Sequence, residues 1–159
     1  MSGQAMVAPS NFLRAKLSGG ARIDPERLIA EAEAALATLN DDYETWVGDD
    51  LGRLEAAFRD AQRDPDRRRE LLRQAHGIAH EMGGQGTTFG YPLVTHAARS
   101  LCRLFEAIDD VADEFALRAI ELHIGGLRSI VINRIKGDGG ATGRDLVAAL
   151  NAVAAKASA

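Results

Sequence analysis

The chain has 159 residues, of which 46% are hydrophobic, 26% charged and 5% aromatic, and its formal net charge is −4. These values are typical of one soluble globular domain, and the lack of a basic block argues against nucleic acid as the main partner. The single cysteine, Cys102, excludes an internal disulfide and a cysteine-rich zinc site, and its apolar neighbours favour a place in the core. No apolar run has the length of a signal peptide or a transmembrane helix, which predicts a cytoplasmic protein with no membrane partner.

The predicted elements are all helical, because no stretch keeps the two-residue alternation of a strand. Residues 1–23 mix Gly, Ser and Pro, which predicts a flexible arm. Asp24, Pro25 and Glu26 then form a typical helix start, with a capping residue, a proline and an acidic residue. Turn signals separate the helices that follow: Asn40-Asp41, Asp64-Pro65-Asp66, Gly90-Tyr91-Pro92, Asp109-Asp110 and Gly137-Asp138-Gly139-Gly140.

Short connections between successive amphipathic helices favour antiparallel neighbours. The sequence therefore predicts an all-α fold, an antiparallel up-down-up-down four-helix bundle with accessory N- and C-terminal helices. The bundle is expected at about residues 41–136 of a single domain spanning 24–159, with the accessory helices at about 25–39 and 142–157. The residues expected to be buried in its core are Leu54, Phe58, Leu71, Ala75, Met82, Leu101, Leu104, Ile120, Leu127 and Val131.

Residues 80–90 interrupt an otherwise regular helical pattern. They read His80-Glu81-Met82-Gly83-Gly84-Gln85-Gly86-Thr87-Thr88-Phe89-Gly90. At about 100° per residue, His80 lies on the face opposite the apolar stripe and is expected to point to solvent. Each glycine costs a helix about 1 kcal/mol relative to alanine. Gly83 and Gly84, one turn beyond His80, therefore indicate an imidazole left open so that something large can approach it.

The spacing of this segment resembles the motif of histidine phosphotransfer (HPt) domains, in which glycines follow the histidine at the fourth and tenth positions and an aromatic residue at the ninth. Here those residues are His80, Gly84, Gly90 and Phe89. The continuation Tyr91-Pro92-Leu93 and Ala98-Arg99-Ser100-Leu101-Cys102 is also similar to the helix that follows the motif in that family. The resemblance in helical pattern covers about residues 40–136.

The resemblance implies a stoichiometric phosphocarrier, without ATP-dependent kinase activity, in a bacterial-type two-component phosphorelay. His80 would take a phosphoryl group from the aspartate of one response-regulator receiver domain and pass it to that of another, and a hybrid histidine kinase is a further implied partner. Such a carrier needs no cofactor of its own, since the receiver holds the Mg²⁺. The phosphoryl site would be supported by Gly83, Gly84, Gln85 and Thr87. The receiver would dock on Leu72, Arg73, His76, Gly84 and Tyr91.

One position departs from the family pattern: Gly83 stands where a Lys or Arg usually follows the histidine by three residues. Arg73 and His76, on the same face one to two turns earlier, are candidates to replace that charge. The alternative is a receiver-docking or helical scaffold module with weak or no phosphotransfer.

Two other kinds of site have weaker support. His76 and His80 are one helical turn apart, but no glutamate lies between them as in helical zinc signatures, and the sequence predicts no metal site. The glycine-rich run lacks the Gly-Lys-Ser/Thr ending of a nucleotide phosphate loop.

Overall fold

The computed structural model describes residues 22–159, so most of the predicted arm, residues 1–21, lies outside the described residues. Over residues 22–159 the chain is all-helical and contains no strand. Its helices are α1 (Pro25–Arg63), α2 (Arg68–Gln85), α3 (Pro92–Ala107), α4 (Glu114–Ile132) and α5 (Gly140–Ala157), with a 3-10 helix at Thr87–Phe89. None of these helices has the length and apolar character needed to cross a membrane.

The first helix starts where the sequence predicts, but it does not end there. Asp24 Oδ1 accepts a hydrogen bond from the backbone N–H of Glu26 at 3.1 Å, as an N-cap does. The predicted break at Asn40 or Asp41 is wrong, because α1 continues to Arg63. Asn and Asp each cost a helix only about 0.7 kcal/mol or less, and no Gly or Pro at this point forces an end. The predicted accessory helix 25–39 is thus the first part of a longer helix.

The chain divides into two compact units, Met1–Leu36 and Ala37–Ala159. The first unit is described only over residues 22–36, which are all exposed. Leu28, Ile29 and Leu36 are more than half exposed there. Arg27 Nε and Glu31 Oε1 form an ion pair at 3.0 Å along this part of the helix.

The second unit is built around one hydrophobic core. The core draws on residues 43–61 of α1, on α2, α3 and α4, and on Leu150 and Ala154 of α5. The predicted core residues are buried apart from Val131, which is half-buried and packs against the core. Helix α3 contacts α2, α4 and α5, so it is central to the packing.

A tight turn brings α3 back against α2. A Cβ atom at Gly86 would lie 2.6 Å from Thr95 Oγ1 and 2.7 Å from the carbonyl oxygen of Tyr91. The backbone N–H of Thr87 donates to Thr95 Oγ1 at 2.8 Å, and the N–H of Tyr91 donates to the carbonyl of Gly86 at 2.8 Å. Gly90 has a φ of 84°, which favours glycine. The glycines at 86 and 90 therefore serve the turn itself.

A buried polar pair joins α3 to α4. His123 is fully buried, and its Nδ1 lies 2.7 Å from the carbonyl oxygen of Ala119. Because a carbonyl only accepts, Nδ1 carries the proton and Nε2 accepts a hydrogen bond from the Ser100 hydroxyl at 2.9 Å. Burial lowers the pKa of His123 below its ordinary value of 6.5.

The turn predicts a contrast between two neighbouring glycines. Gly86→Ala should destabilise the protein by about 1–3 kcal/mol, because its Cβ has no room beside Thr95. Gly84→Ala is the matched control: a Cβ there meets nothing within 4 Å, and alanine should stabilise the helix by up to about 1 kcal/mol. Urea unfolding of both variants measures the difference, and equal stability would contradict the turn geometry.

The buried pair predicts a loss of stability in mild acid. Below pH 6.5 the unfolded chain binds a proton at His123 that the folded chain does not, so the free energy of unfolding falls as pH drops from 6.5 towards the lower folded pKa. The slope from this residue should reach at most about 1.4 kcal/mol per pH unit. Urea unfolding between pH 7.5 and 5 should lose this contribution in His123→Gln and keep it in His96→Gln, whose histidine is exposed. The same slope in both variants would rule out His123 as its source.

Candidate functional site

His80 is exposed on α2, and most of its helical neighbours lack side chains. The positions three and four residues away on a helix lie next to a side chain on the surface. Around His80 these positions are His76, Gly77, Gly83 and Gly84. Three of the four are glycine, so the imidazole has almost no cover from its own helix.

The two edges of this face differ. At Gly77 and Gly84 a Cβ atom would meet nothing within 4 Å, so this edge is open. On the other edge, His76 Nε2 lies 3.2 Å from Glu106 Oε1 of α3. A Cβ at Gly83 would lie 3.5 Å from the Cβ of Ala98 and 3.5 Å from the Cγ of Arg99, also on α3. The glycine edge is therefore bare, and the other edge is packed against α3.

Gly83 corrects one expectation from the sequence. The helical pattern places it on the open face beside Gly84, but it is buried while Gly84 is exposed. The reason is tertiary, because α3 packs across this edge of α2 and covers the glycine with Ala98 and Arg99. Gly83 is therefore covered by α3, although a Cβ there would make only ordinary contacts, and Gly84 is the glycine that leaves His80 open.

A surface cleft of about 340 Å³ lies beside the imidazole. It is lined by His80, Gly83, Gly84, Arg99, Cys102, Arg103 and Glu106. Arg103 Nη2 donates to Asn151 Oδ1 of α5 at 2.8 Å. Arg99 is exposed and forms no ion pair or side-chain hydrogen bond with any residue between 22 and 159. Two arginines therefore line the cleft together with His80; the guanidinium of Arg103 is held by an amide, and that of Arg99 has no partner in the described chain.

The predicted phosphoryl-site residues separate into two pairs. Gly83 and Gly84 line the cleft with His80. Gln85 is exposed and does not line it, and the Thr87 hydroxyl donates to Thr95 Oγ1 at 3.0 Å. Thr87 therefore holds the turn before α3, and the structure does not bring it or Gln85 into the cleft.

The predicted docking residues also separate. Leu72, Arg73 and His76 line a second cleft, which shares Glu106 with the cleft at His80. Tyr91 is 1% exposed, and its hydroxyl donates to Glu44 Oε1 at 2.6 Å. Tyr91 therefore has almost no surface to offer a partner, and burial leaves Leu72 with little more.

The candidate replacements for the missing basic residue do not line the histidine cleft. His76 bonds to Glu106 and packs edge-on against Phe105, and Arg73 lines the second cleft. Sequence reasoning missed Arg99 and Arg103, which reach the site from another helix. Their four-residue spacing on the polar side of α3 was the available signal, but the register of α3 on α2 was not readable.

Within the described chain, residues 22–159, no group of three His, Cys, Asp or Glu side chains is placed to hold a metal ion. The thiol in the cleft is shielded: Cys102 is 8% exposed, as the sequence predicts for a core residue. Burial, with a smaller contribution from Glu106, raises its pKa to about 11.

No family model, curated protein or solved structure matches the chain. The arrangement of residues around His80 therefore carries the functional argument.

The shielded thiol predicts slow alkylation. At pH 8, Cys102 in the folded protein should react with iodoacetamide about 100-fold more slowly than a thiol of pKa 9, because the thiolate is about 100-fold rarer. The rate should rise about tenfold per pH unit up to pH 10, and urea should abolish the protection. Mass spectrometry follows the reaction at this single cysteine, and fast alkylation of the folded protein would contradict the burial.

Proposed function

We propose that the chain is a histidine phosphotransfer protein that carries a phosphoryl group on His80 between receiver-domain aspartates of a two-component phosphorelay. The observation that carries the proposal is the exposed imidazole with glycine at three of its four helical neighbours, beside a cleft that holds two arginines. A phosphocarrier needs its histidine open to a whole protein domain, and it needs positive charge where the phosphoryl oxygens lie.

The bare edge supports the first requirement. Gly77 and Gly84 have open space where a side chain would stand, although each glycine costs the helix about 1 kcal/mol relative to alanine. Helix α3 covers Gly83, and turn geometry explains Gly86 and Gly90. No packing contact requires glycine at position 77 or 84. Access of a partner to His80 accounts for both residues.

The chemistry requires little from this chain beyond position. A neutral imidazole nitrogen of His80 attacks the phosphorus of the aspartyl phosphate on the receiver. The P–N bond forms as the P–O bond breaks, and the electron pair leaves with the aspartate carboxylate. The proton on the other ring nitrogen then passes to solvent. In this proposal the Mg²⁺ belongs to the receiver, and this chain supplies the nucleophile and the surrounding charge.

The four-helix bundle topology is part of the same proposal. Residues 41–63 of α1 together with α2, α3 and α4 would form the up-down-up-down four-helix bundle of an HPt domain, with α5 as the accessory C-terminal helix. The shared core of these helices supports this arrangement. The receiver would approach the face of α2 that carries His80, with Arg73, His76 and Gly84 as contact residues. A carrier of this kind would work in the cytoplasm with response regulators, and a hybrid kinase would feed it.

The proposal predicts histidine-specific labelling. Incubation with a receiver domain carrying radiolabelled aspartyl phosphate should label the protein, and the label should be lost in acid and persist in base, as for a phosphoramidate bond. His80→Gln should abolish labelling, whereas the matched control His96→Gln should retain it, because His96 is exposed but lies outside the cleft.

Three outcomes would overturn the carrier function. Acid-stable label would place the acceptor on another residue. Receiver binding to wild-type protein without label would favour the docking module, and neither binding nor label would favour a helical scaffold. The assay should use a panel of receiver domains from the organism that encodes this chain, because a single receiver could fail to transfer only because it is not the partner.

A further inference from the structure

We infer that Arg99 of α3 supplies the cation that contacts the phosphoryl oxygens on His80. It would replace the Lys or Arg that HPt domains usually have at the position occupied here by Gly83. The inference rests on the proposed function, and it assigns the charge to a neighbouring helix. Three observations carry it: the position of the Arg99 stem, the partners of the other charged groups in the cleft, and the space left by Gly83.

The stem of Arg99 crosses α2 next to the histidine. Its Cγ lies 3.5 Å, and its backbone nitrogen 3.8 Å, from the point where a Cβ of Gly83 would stand. Gly83 is three residues after His80, so it is adjacent to the imidazole on the helix surface. Arg99 and His80 also line the same cleft. The Arg99 stem therefore runs beside the place where a side chain at position 83 would begin.

The other charged groups of the cleft have partners. Arg103 Nη2 donates to Asn151 Oδ1 at 2.8 Å, and Glu106 Oε1 lies 3.2 Å from His76 Nε2. Arg99 has no such partner among residues 22–159. Its five N–H donors are thus free to bind an anion, and a guanidinium matches two phosphoryl oxygens at once.

The glycine and the arginine are complementary. An alanine Cβ at position 83 would make ordinary contact with Arg99 Cγ at 3.5 Å, but a long side chain there would share its path over α2. A basic side chain at position 83 and one at position 99 would therefore place a positive charge in the same part of the cleft. A lysine introduced at 83 should consequently replace Arg99 when Arg99 is neutralised, and should add less when Arg99 is present.

The test begins without any receiver. Phosphoramidate, a small donor that phosphorylates histidine directly, is used to label His80 in the wild type, in Arg99→Gln and in the control Arg118→Gln. Arg118 lies on α4 and pairs with Glu121, so its loss changes the net charge equally but away from the cleft. Phosphorus NMR against pH then reports the acid dissociation constant of the phosphoryl group on His80.

A cation in contact with the phosphoryl group favours its dianion. Arg99→Gln should therefore lower this dissociation constant about two- to fivefold, the effect of one exposed charge pair, and 0.5 M salt should shrink the difference. Arg118→Gln should leave it unchanged, and Arg103→Gln should change it less than Arg99→Gln. Gly83→Lys should restore the wild-type value in the Arg99→Gln background.

Several results would overturn the assignment. An unchanged dissociation constant in Arg99→Gln would show that Arg99 does not contact the phosphoryl group. An equal effect in Arg103→Gln would show that the contact is not specific to Arg99. A loss that neither salt nor Gly83→Lys alters would mean that Arg99 acts by packing. Failure of phosphoramidate to label His80 would show that the cleft does not favour the anion.

The design separates this inference from the proposed function. If Arg99 shifts the dissociation constant but no receiver ever labels His80, the relay fails and the anion contact stands. If receivers label His80 and Arg99→Gln changes neither the phosphotransfer equilibrium nor the dissociation constant, the relay stands and the assignment of Arg99 fails.

Discussion

The close approach of α3 to α2 is the constraint on which the candidate site depends. It is possible because Gly86 leaves room for the backbone and hydroxyl of Thr95, which would lie within 3 Å of a Cβ atom at this position. Thr95 then fixes the turn by accepting hydrogen bonds from both the N–H and the hydroxyl of Thr87. A bulkier turn would move α3 outward, and the cleft at His80 would lose the wall that carries its arginines.

The same approach sets the local electrostatics. The chain as a whole has a formal charge of −4, which would repel a phosphorylated partner at long range. In the cleft the balance differs, because its lining includes Arg99, Arg103 and one carboxylate, Glu106, which is already bonded to His76. Screening limits the general field to about 10 Å or less in salt, so these nearby groups decide how an anion on the imidazole is received.

The features that depend on the pattern within one helix could be predicted from the sequence, and those that depend on packing between helices could not. The apolar period identifies the all-helical class and nearly all of the predicted core, and the same arithmetic exposes His80. It fails at Asn40 and Asp41, where polar residues look like a break but cost a helix little. It also fails at Gly83 and Arg99, because periodicity describes one helix at a time, and their meeting depends on how two helices register against each other.

The bare glycine edge also bears on how long a phosphoryl group would last. An imidazole that a receiver domain can reach along Gly77 and Gly84 is equally open to water, since no side chain screens that side. The stored group would then survive for as long as the intrinsic stability of a phosphoimidazole allows, with little protection from the fold. In such a carrier, hydrolysis would compete with transfer. The concentration of the acceptor would then set the fraction of phosphoryl groups that are passed on before they are lost to water.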